Sequence, residues 1–304
     1  MKKYVVYTIM VGSYGKIYQP LCIDERFDYV LFTNDYTEET LGAWQIRSIP
    51  VPQEIDKSDN KRLSRYPKTH PETLLSEYSA SLYIDANIQI ADRWVYDRVV
   101  ELDTKNIDYA GIKMLAKGRD CIYRHAYDMC CSKIENDYNA LIQMSALRKE
   151  GFPEHFGLNE NNIIFRKHTA LMYHVNTMWW RWIVEYSFRD QFSYMFCMWK
   201  HSVPIEYFLP PNEDAYRTTH FKIHMHNHYS HVATQKWVKQ NILEKLRNKC
   251  RHLSKFHYTY YEWEWCKLTH FSYPKMYLYV LGFLTTMINL PFLILVSIYR
   301  YLKK

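Results

Sequence analysis

The chain has 304 residues, a formal net charge of +7, 48% hydrophobic residues, and only 8 glycines and 11 prolines. This supports one large domain or two small ones with a sizeable core and argues against a disordered chain. The basic balance admits phosphorylated substrates, anionic lipid or nucleic acid, but no zinc-finger spacing and no Lys/Arg-Gly-Phe type RNA-binding strand accompanies it, so nucleic acid is not an expected partner.

Met1-Lys2-Lys3 leads directly into an alternating segment too short and too polar for a signal peptide. Seven cysteines without a Cys-x-x-Cys pair fit free thiols in a reducing cytosol. Lys3 to Met10 reads as a first strand, closed by Val11-Gly12-Ser13-Tyr14-Gly15. A glycine turn there lets the backbone approach a ligand at the carboxyl edge of an α/β sheet, although the full Gly-x-Gly-x-x-Gly fingerprint of a dinucleotide site is missing. Asp28 to Thr33 is a second strand ending at the turn formers Asn34-Asp35, and Trp44 to Ile49 a third. Strands separated by short helical pieces argue for βαβ units and a mainly parallel sheet.

Before the next strand, Lys61, Arg62, Arg65, Lys68 and His70 fall within ten positions. One helical turn would place Arg62 and Arg65 on one face, where two guanidinium groups grip a diphosphate; a solvated basic helix is the plainer alternative. The strand Ser81 to Ile84 then delivers Asp85-Ala86-Asn87. In an extended segment, residues two apart share a side, so Asp85 and Asn87 would present two oxygen donors to one point. Such donors suit Mg2+ or Mn2+, which bridge to phosphates.

Ala91 to Leu102 is expected to be helical and Tyr109 to Met114 extended; Gly118-Arg119-Asp120-Cys121-Ile122-Tyr123 then opens a long helical stretch to about Arg148. Asp120 is read either as a chemical group or as an acid favouring the helix dipole. Gly151-Phe152-Pro153 breaks the chain, Gly157-Leu158-Asn159-Glu160-Asn161-Asn162 leads into the strand Ile163 to Arg166, and Ala170 to Tyr186, with Trp179, Trp180 and Trp182, reads as a core helix. Ser187 and Asp190 have capping-box spacing, while Arg189-Asp190-Gln191 keeps a catalytic or acceptor-binding role open. Further on, His224, His226 and His228 share a face if extended, and His224 is a candidate third metal ligand.

The run Met276 to Tyr299 lacks any charge and is long enough for a roughly 30 Å hydrocarbon layer, with tyrosines at both ends and basic residues outside. Membrane insertion, an interfacial helix and a buried helix or oligomer contact all fit this run. The expected organisation is residues 1–232 as the globular domain, 233–275 as a helical, basic and aromatic connector, and 276–304 as a membrane-associating tail.

The ordered set Tyr7-Thr8, Gly12-Ser13-Tyr14, Phe32-Thr33-Asn34, Trp44, Arg65, Lys68, His70-Pro71, Tyr83-Ile84-Asp85-Ala86-Asn87, Arg119-Asp120-Cys121-Ile122-Tyr123, Gly151-Phe152-Pro153, Gly157-Leu158, Glu160-Asn161 and Ser187, Arg189-Asp190-Gln191 resembles the glycosyltransferase-like family once labelled domain of unknown function 616. That family includes plant mucilage-related and bacterial polysaccharide-cluster members. The match covers roughly residues 3 to 200. The resemblance implies a GT-A fold: an α/β, Rossmann-like, mixed but mostly parallel sheet flanked by helices, here carrying a helical, hydrophobic C-terminal extension. It also implies that Thr8, Gly12, Tyr14, Thr33 and Asn34 hold the nucleotide, and that Asp85 and Asn87 occupy the Asp-x-Asp metal position.

The expected function is transfer of a sugar from a nucleotide sugar to a glycan or lipid-linked glycan at the cytoplasmic membrane face. In it Arg62, Arg65, Lys68, His70, Arg119 and Arg189 contact substrate, Asp190 and Asp120 are the catalytic candidates, and Asp85, Asn87 and His224 hold Mn2+ or Mg2+. A hydrolase or phosphotransferase with the same ligands, and a non-catalytic binding protein of the same fold, are the alternatives.

Overall fold

Alternation of β-branched and aromatic residues makes Tyr4–Ile9 (β1) and Phe27–Phe32 (β2) into adjacent parallel strands, and Ala80–Ile84 (β5) pairs with β1 on its other side. The computed structural model describes residues 3–12, 15–115, 119–131 and 134–224 and, singly, Trp265, Pro291, Leu295, Ile298 and Leu302. The remaining strands are Thr40–Leu41 (β3), Trp44–Arg47 (β4), Ile88–Ile90 (β6), Tyr109–Lys113 (β7), Asn159–Lys167 (β8), Glu206–Tyr207 (β9) and Phe221–Ile223 (β10). Eight of them form one sheet in the order β3-β4-β2-β1-β5-β8-β7-β9, in which β3 and β8 run against the rest. This is the mixed, mostly parallel sheet expected from the sequence. β6 and β10 pair separately and antiparallel.

The helices are Asn60–Leu63 (α1), Tyr66–Thr69 (α2), Pro71–Leu74 (α3), Trp94–Thr104 (α4), Ile122–Cys131 (α5), Asp137–Lys149 (α6), Ala170–Glu185 (α7) and Tyr194–Lys200 (α8). The basic stretch is therefore two one-turn helices with a break at Ser64-Arg65, and the long helix expected to about Arg148 is interrupted between α5 and α6. Pro67 and Pro71 sit in the first turns of α2 and α3, where a missing N–H costs nothing.

One sheet face buries Val6, Phe27, Leu31, Leu82, Ile84, Ile163 and Phe165 with Val95, Tyr96 and Val99 of α4. The opposite face carries buried polar groups. Arg166 bonds the Tyr7 hydroxyl and Asn176 Oδ1, and Asn176 in turn donates to Glu72 at 2.7 Å. Trp179 of α7 is fully buried, stacks on Tyr194 at 3.9 Å and donates its Nε1–H to the Asp190 carbonyl at 2.9 Å. The tryptophan helix is thus core, as expected, and it also fixes the short 3-10 turn Asp190–Phe192.

The chain divides into two units, Met1–Ala126 with Lys149–His226, and Tyr127–Arg148 with Asn227–Lys304. The expected boundaries at 232 and 275 lie outside the described residues. The second unit contains α6 and a ring contact between Tyr127 and Trp265 at 5.7 Å. Among the described residues no helix is long and apolar enough to cross a membrane, and nearly all of the 276–299 run lies outside them.

Candidate functional site

The carboxyl ends of β1 and β5 are where successive connections leave to opposite sides of β1, since β2 lies on one flank and β5 on the other. In an open α/β sheet such a switch point is the natural ligand crevice. Gly12 lies just beyond β1 with φ +82°, and a Cβ on it would meet Asn60 Nδ2 at 2.9 Å. The start of α1 therefore lies directly against Gly12.

From that segment Lys68 reaches the end of β5. Its ammonium is 2.5 Å from Asp190 Oδ2, 3.8 Å from Asp85 Oδ1 and 4.5 Å from the Tyr83 ring centroid, with only 3% of the side chain exposed. Arg65 Nε stands 3.7 Å from the same Asp190 oxygen. The Tyr83 hydroxyl donates to Asp85 Oδ1 at 2.6 Å. Burial drives the Tyr83 phenol well above its usual range, so it remains a donor. Burial alone would also raise the Asp190 carboxyl, but the charges of Lys68 and Arg65 outweigh it and hold the group below the ordinary carboxylate value. Four residues named from sequence, Arg65, Lys68, Asp85 and Asp190, thus converge, with Tyr83 as an unexpected fifth.

Asp85 and Asn87 are not in extended chain. Ile88 N–H donates to the Asp85 carbonyl at 2.8 Å, closing a turn over residues 85–88, for which Asp at the first position and Asn at the third are favoured. The same-side argument for this pair therefore fails, and the turn itself brings them to one corner. Asn87 Nδ2 donates to the His224 carbonyl at 3.1 Å, and His224 N–H donates to the Asn87 carbonyl at 2.8 Å. The His224 ring stacks on Tyr18 at 3.6 Å, with Nε2 2.9 Å from Gln89 Oε1, so His224 is beside the corner through its backbone while its imidazole is engaged elsewhere. His226 and His228 lie outside the described residues.

The Asp85 side chain is 40% exposed, and Oδ2 has no hydrogen-bond partner among the described residues. One open carboxylate oxygen with a neighbouring amide suits Mg2+ or Mn2+, which take one or two protein oxygens and fill the rest of the shell with phosphate and water. No group of three His, Cys, Asp or Glu able to hold a metal occurs among the described residues.

The other candidates are placed as follows. Thr8 is buried, and its Oγ1 has no partner among the described residues. Thr33 Oγ1 accepts from Asp35 N–H at 3.0 Å, and the Asn34 amide exchanges two hydrogen bonds with the Ile49 backbone, closing the ends of β2 and β4 together. Tyr14 lies outside the described residues. Arg62 points away from the crevice: Nε donates to the Ile183 carbonyl at 2.9 Å and an Nη to the Tyr186 carbonyl at 2.8 Å, bracing the end of α7. His70 is packed between Tyr66 and Trp180. Asp120 is exposed, precedes α5 and pairs with His155 at 2.9 Å, so it is not in the helix's first turn. The Arg189 guanidinium lies 5.9 Å from the Phe188 ring centroid. Ser187 Oγ accepts from Arg189 N–H, and the Asp190 carboxylate goes to Lys68; the capping-box reading is replaced by a buried ion pair.

Sequence reasoning missed Glu160. Asp85 N–H donates to the Asn162 carbonyl at 2.8 Å, bringing the start of β8 alongside the Asp85 turn. Pairing of β7 with β8 is irregular between Gly111 and Ile112, a β-bulge that accommodates Asn161 and Asn162. Asn162 Nδ2 donates to Glu160 Oε2 at 3.1 Å, and Asn161 is buried with neither amide atom partnered among the described residues. Burial pushes the Glu160 carboxyl up to about 7, assisted by Asp214 and opposed by the Asn162 hydrogen bond, Arg119 and Arg217. The signal was available: four consecutive polar residues, Asn159 to Asn162, open a strand that is otherwise apolar.

No family model matches the chain and no curated protein matches it in sequence, so the resemblance to the 616 family rests on its motifs. Solved structures similar in arrangement include the bifunctional glycosyltransferase WbbM in its apo form, at 12% identity and TM-score 0.41, over 69% of this chain and 39% of that one. Mouse xyloside xylosyltransferase 1, also apo, matches at 9% identity and TM-score 0.37 over 67% and 84% of the two chains. Core-mannan synthase A from Aspergillus fumigatus, in a Mn/GDP form, matches at 9% identity and TM-score 0.38 over 65% and 70%. The present chain thus spans about two fifths of the first of these proteins.

Proposed function

We propose that the chain is a glycosyltransferase that binds a nucleotide sugar over the β1–β5 crevice and transfers the sugar to a glycan or lipid-linked glycan. The observation that carries the reading is the meeting of Lys68, Arg65, Asp85, Tyr83 and Asp190 at the end of β5, with Lys68 and Arg65 on a segment whose first residue, Asn60, abuts Gly12. The ordered motifs across residues 3 to 200 support it. The turn and Thr8 bring backbone and a free hydroxyl to the nucleotide. Lys68 and Arg65 supply fixed positive charge for the departing diphosphate, already oriented by Asp190, which is preorganised electrostatic stabilisation. Asp85 and the Asn87 amide would hold a divalent cation, which when bound adds Lewis-acid charge at the diphosphate.

The tail supports a site of action at the cytoplasmic face of a membrane. Leu295, Ile298 and Leu302 are exposed large hydrophobics three and four positions apart, a spacing that puts them on one face of a helix. Loss of membrane co-sedimentation in a chain ending at Lys275 is the expected result.

The decisive assay follows nucleoside diphosphate release from a panel of nucleotide sugars, with and without glycan acceptors and manganese. Acceptor-dependent release with a glycosylated product is expected, abolished by Asp85→Ala. Equal release of free sugar without any acceptor would instead indicate a hydrolase.

A further inference from the structure

Transfer needs a group to take the proton of the acceptor hydroxyl, and the carboxylates of the ion-pair cluster are poorly suited to it. Asp190 already has an ammonium at 2.5 Å and a guanidinium at 3.7 Å, and Asp85 accepts from Tyr83 with Lys68 nearby. A carboxylate neutralised by cations is a weak base. Glu160 differs. Its hydrogen-bond partner is the neutral Asn162 amide, and the carbonyl of the same Asn162 accepts Asp85 N–H, so a single residue links Glu160 to the Asp85 corner.

Direction matters as much as distance. β8 runs antiparallel to β5, so Glu160 projects past the carboxyl end of β5 and pairs with Ile112 of β7. The nucleotide crevice lies on the β1 side of β5. Glu160 lies on the β7 side, leaving the Asp85 corner between them.

We infer that Glu160 is the catalytic base, receiving the acceptor's hydroxyl proton from the side of the Asp85 corner opposite the nucleotide. The inference rests on the transfer reading above. The acceptor oxygen bonds to C1 of the donor sugar as the C1–oxygen bond to the β-phosphate breaks. Its electron pair leaves on the nucleoside diphosphate and the proton passes to Glu160. Attack from the face opposite the leaving group inverts the configuration at C1. Among the described residues the charged groups facing Glu160 are Asp214 and Arg217, from the segment after β9, and Arg119, after β7. Asp214 favours the proton on Glu160 and the two arginines oppose it, which leaves a carboxyl able to gain and lose a proton near neutral pH.

The test uses the full chain with whichever nucleotide sugar gives acceptor-dependent release. Glu160→Gln should lower the transfer rate by about 10²–10⁴-fold while leaving donor affinity, measured by calorimetry, within about threefold of wild type. The rise of the wild-type rate as pH increases through about 7 should vanish in the variant. Glu160→Asp, which keeps a carboxylate, should retain part of the rate, and NMR of the wild-type product should show an inverted anomeric centre. Three results would overturn the inference: a Glu160→Gln rate within about tenfold of wild type, a rate loss matched by an equal loss of donor affinity, or a retained anomeric centre. Absence of donor binding and release in the wild-type protein would remove the transfer reading itself, and the inference with it.

Discussion

At the scale of single residues, the Lys68–Asp190 pair sets the character of the site. Removing one member of a buried pair strands the other charge, at about 3–5 kcal/mol, whereas removing both is often nearly neutral. Lys68→Met and Asp190→Asn should each lower stability in urea unfolding by about 3 kcal/mol, since Arg65 remains beside Asp190, and the double variant should recover much of that loss. Because the folded-state value of Asp190 is depressed, its stabilisation is complete above the ordinary carboxylate range and is lost as pH falls through the depressed value, so the gap between Asp190→Asn and wild type should close in strong acid. Sequence could name Lys68, Arg65, Asp85 and Asp190 because charge next to a strand end or a chain break is conspicuous. It could not pair them, since the partners lie 122 positions apart. Glu160 was visible as one of four consecutive polar residues but received no role, because what sets it apart, desolvation and a neutral hydrogen-bond partner among the described residues, depends on tertiary packing.

At the scale of elements, the same composition serves opposite ends. Arg62 and Arg65 are three apart, and a continuous helix would have aimed both at a diphosphate. The break at Ser64-Arg65 turns Arg62 toward the carbonyls that end α7 and Arg65 toward Asp190. Arg62→Ala should therefore cost about 1–3 kcal/mol in thermal unfolding through the released carbonyls and leave UDP and GDP affinity unchanged, while Arg65→Ala should weaken those affinities about tenfold. Gly12→Ala meets both a left-handed φ and a 2.9 Å approach to Asn60, so it should destabilise the fold by about 1–2 kcal/mol or more and weaken nucleotide binding, measurable by thermal shift with and without UDP. The strands were legible because alternation is a local property. The antiparallel insertion of β8 between β5 and β7 was not, because a strand's neighbours are chosen by tertiary packing.

For the molecule as a whole, two half-buried groups titrate in opposition. His168 is held neutral between the Tyr78 carbonyl and Ser81 Oγ, and burial pushes its imidazole down to about 4. Its contribution is complete above the ordinary imidazole value and is lost as pH falls toward 4. Glu160, raised to about 7, contributes fully below the ordinary carboxyl value, and that stability is lost as pH rises through 7. The two slopes cancel over much of the same range. Wild-type stability should change little between about pH 5 and 7, whereas Glu160→Gln should fall with acidification and His168→Gln should rise, by about 1–3 kcal/mol, in urea titrations across that range. The separation between Lys68 and Asp190 also governs timing. While the chain is being made, β1, β2, β5 and the basic segment emerge long before the 3-10 turn that carries Asp190, and distant contacts of this kind form late. A nascent or prematurely ended chain can thus hold most of the sheet yet lack the Lys68–Asp190 ion pair, which is completed only once the 3-10 turn has been made.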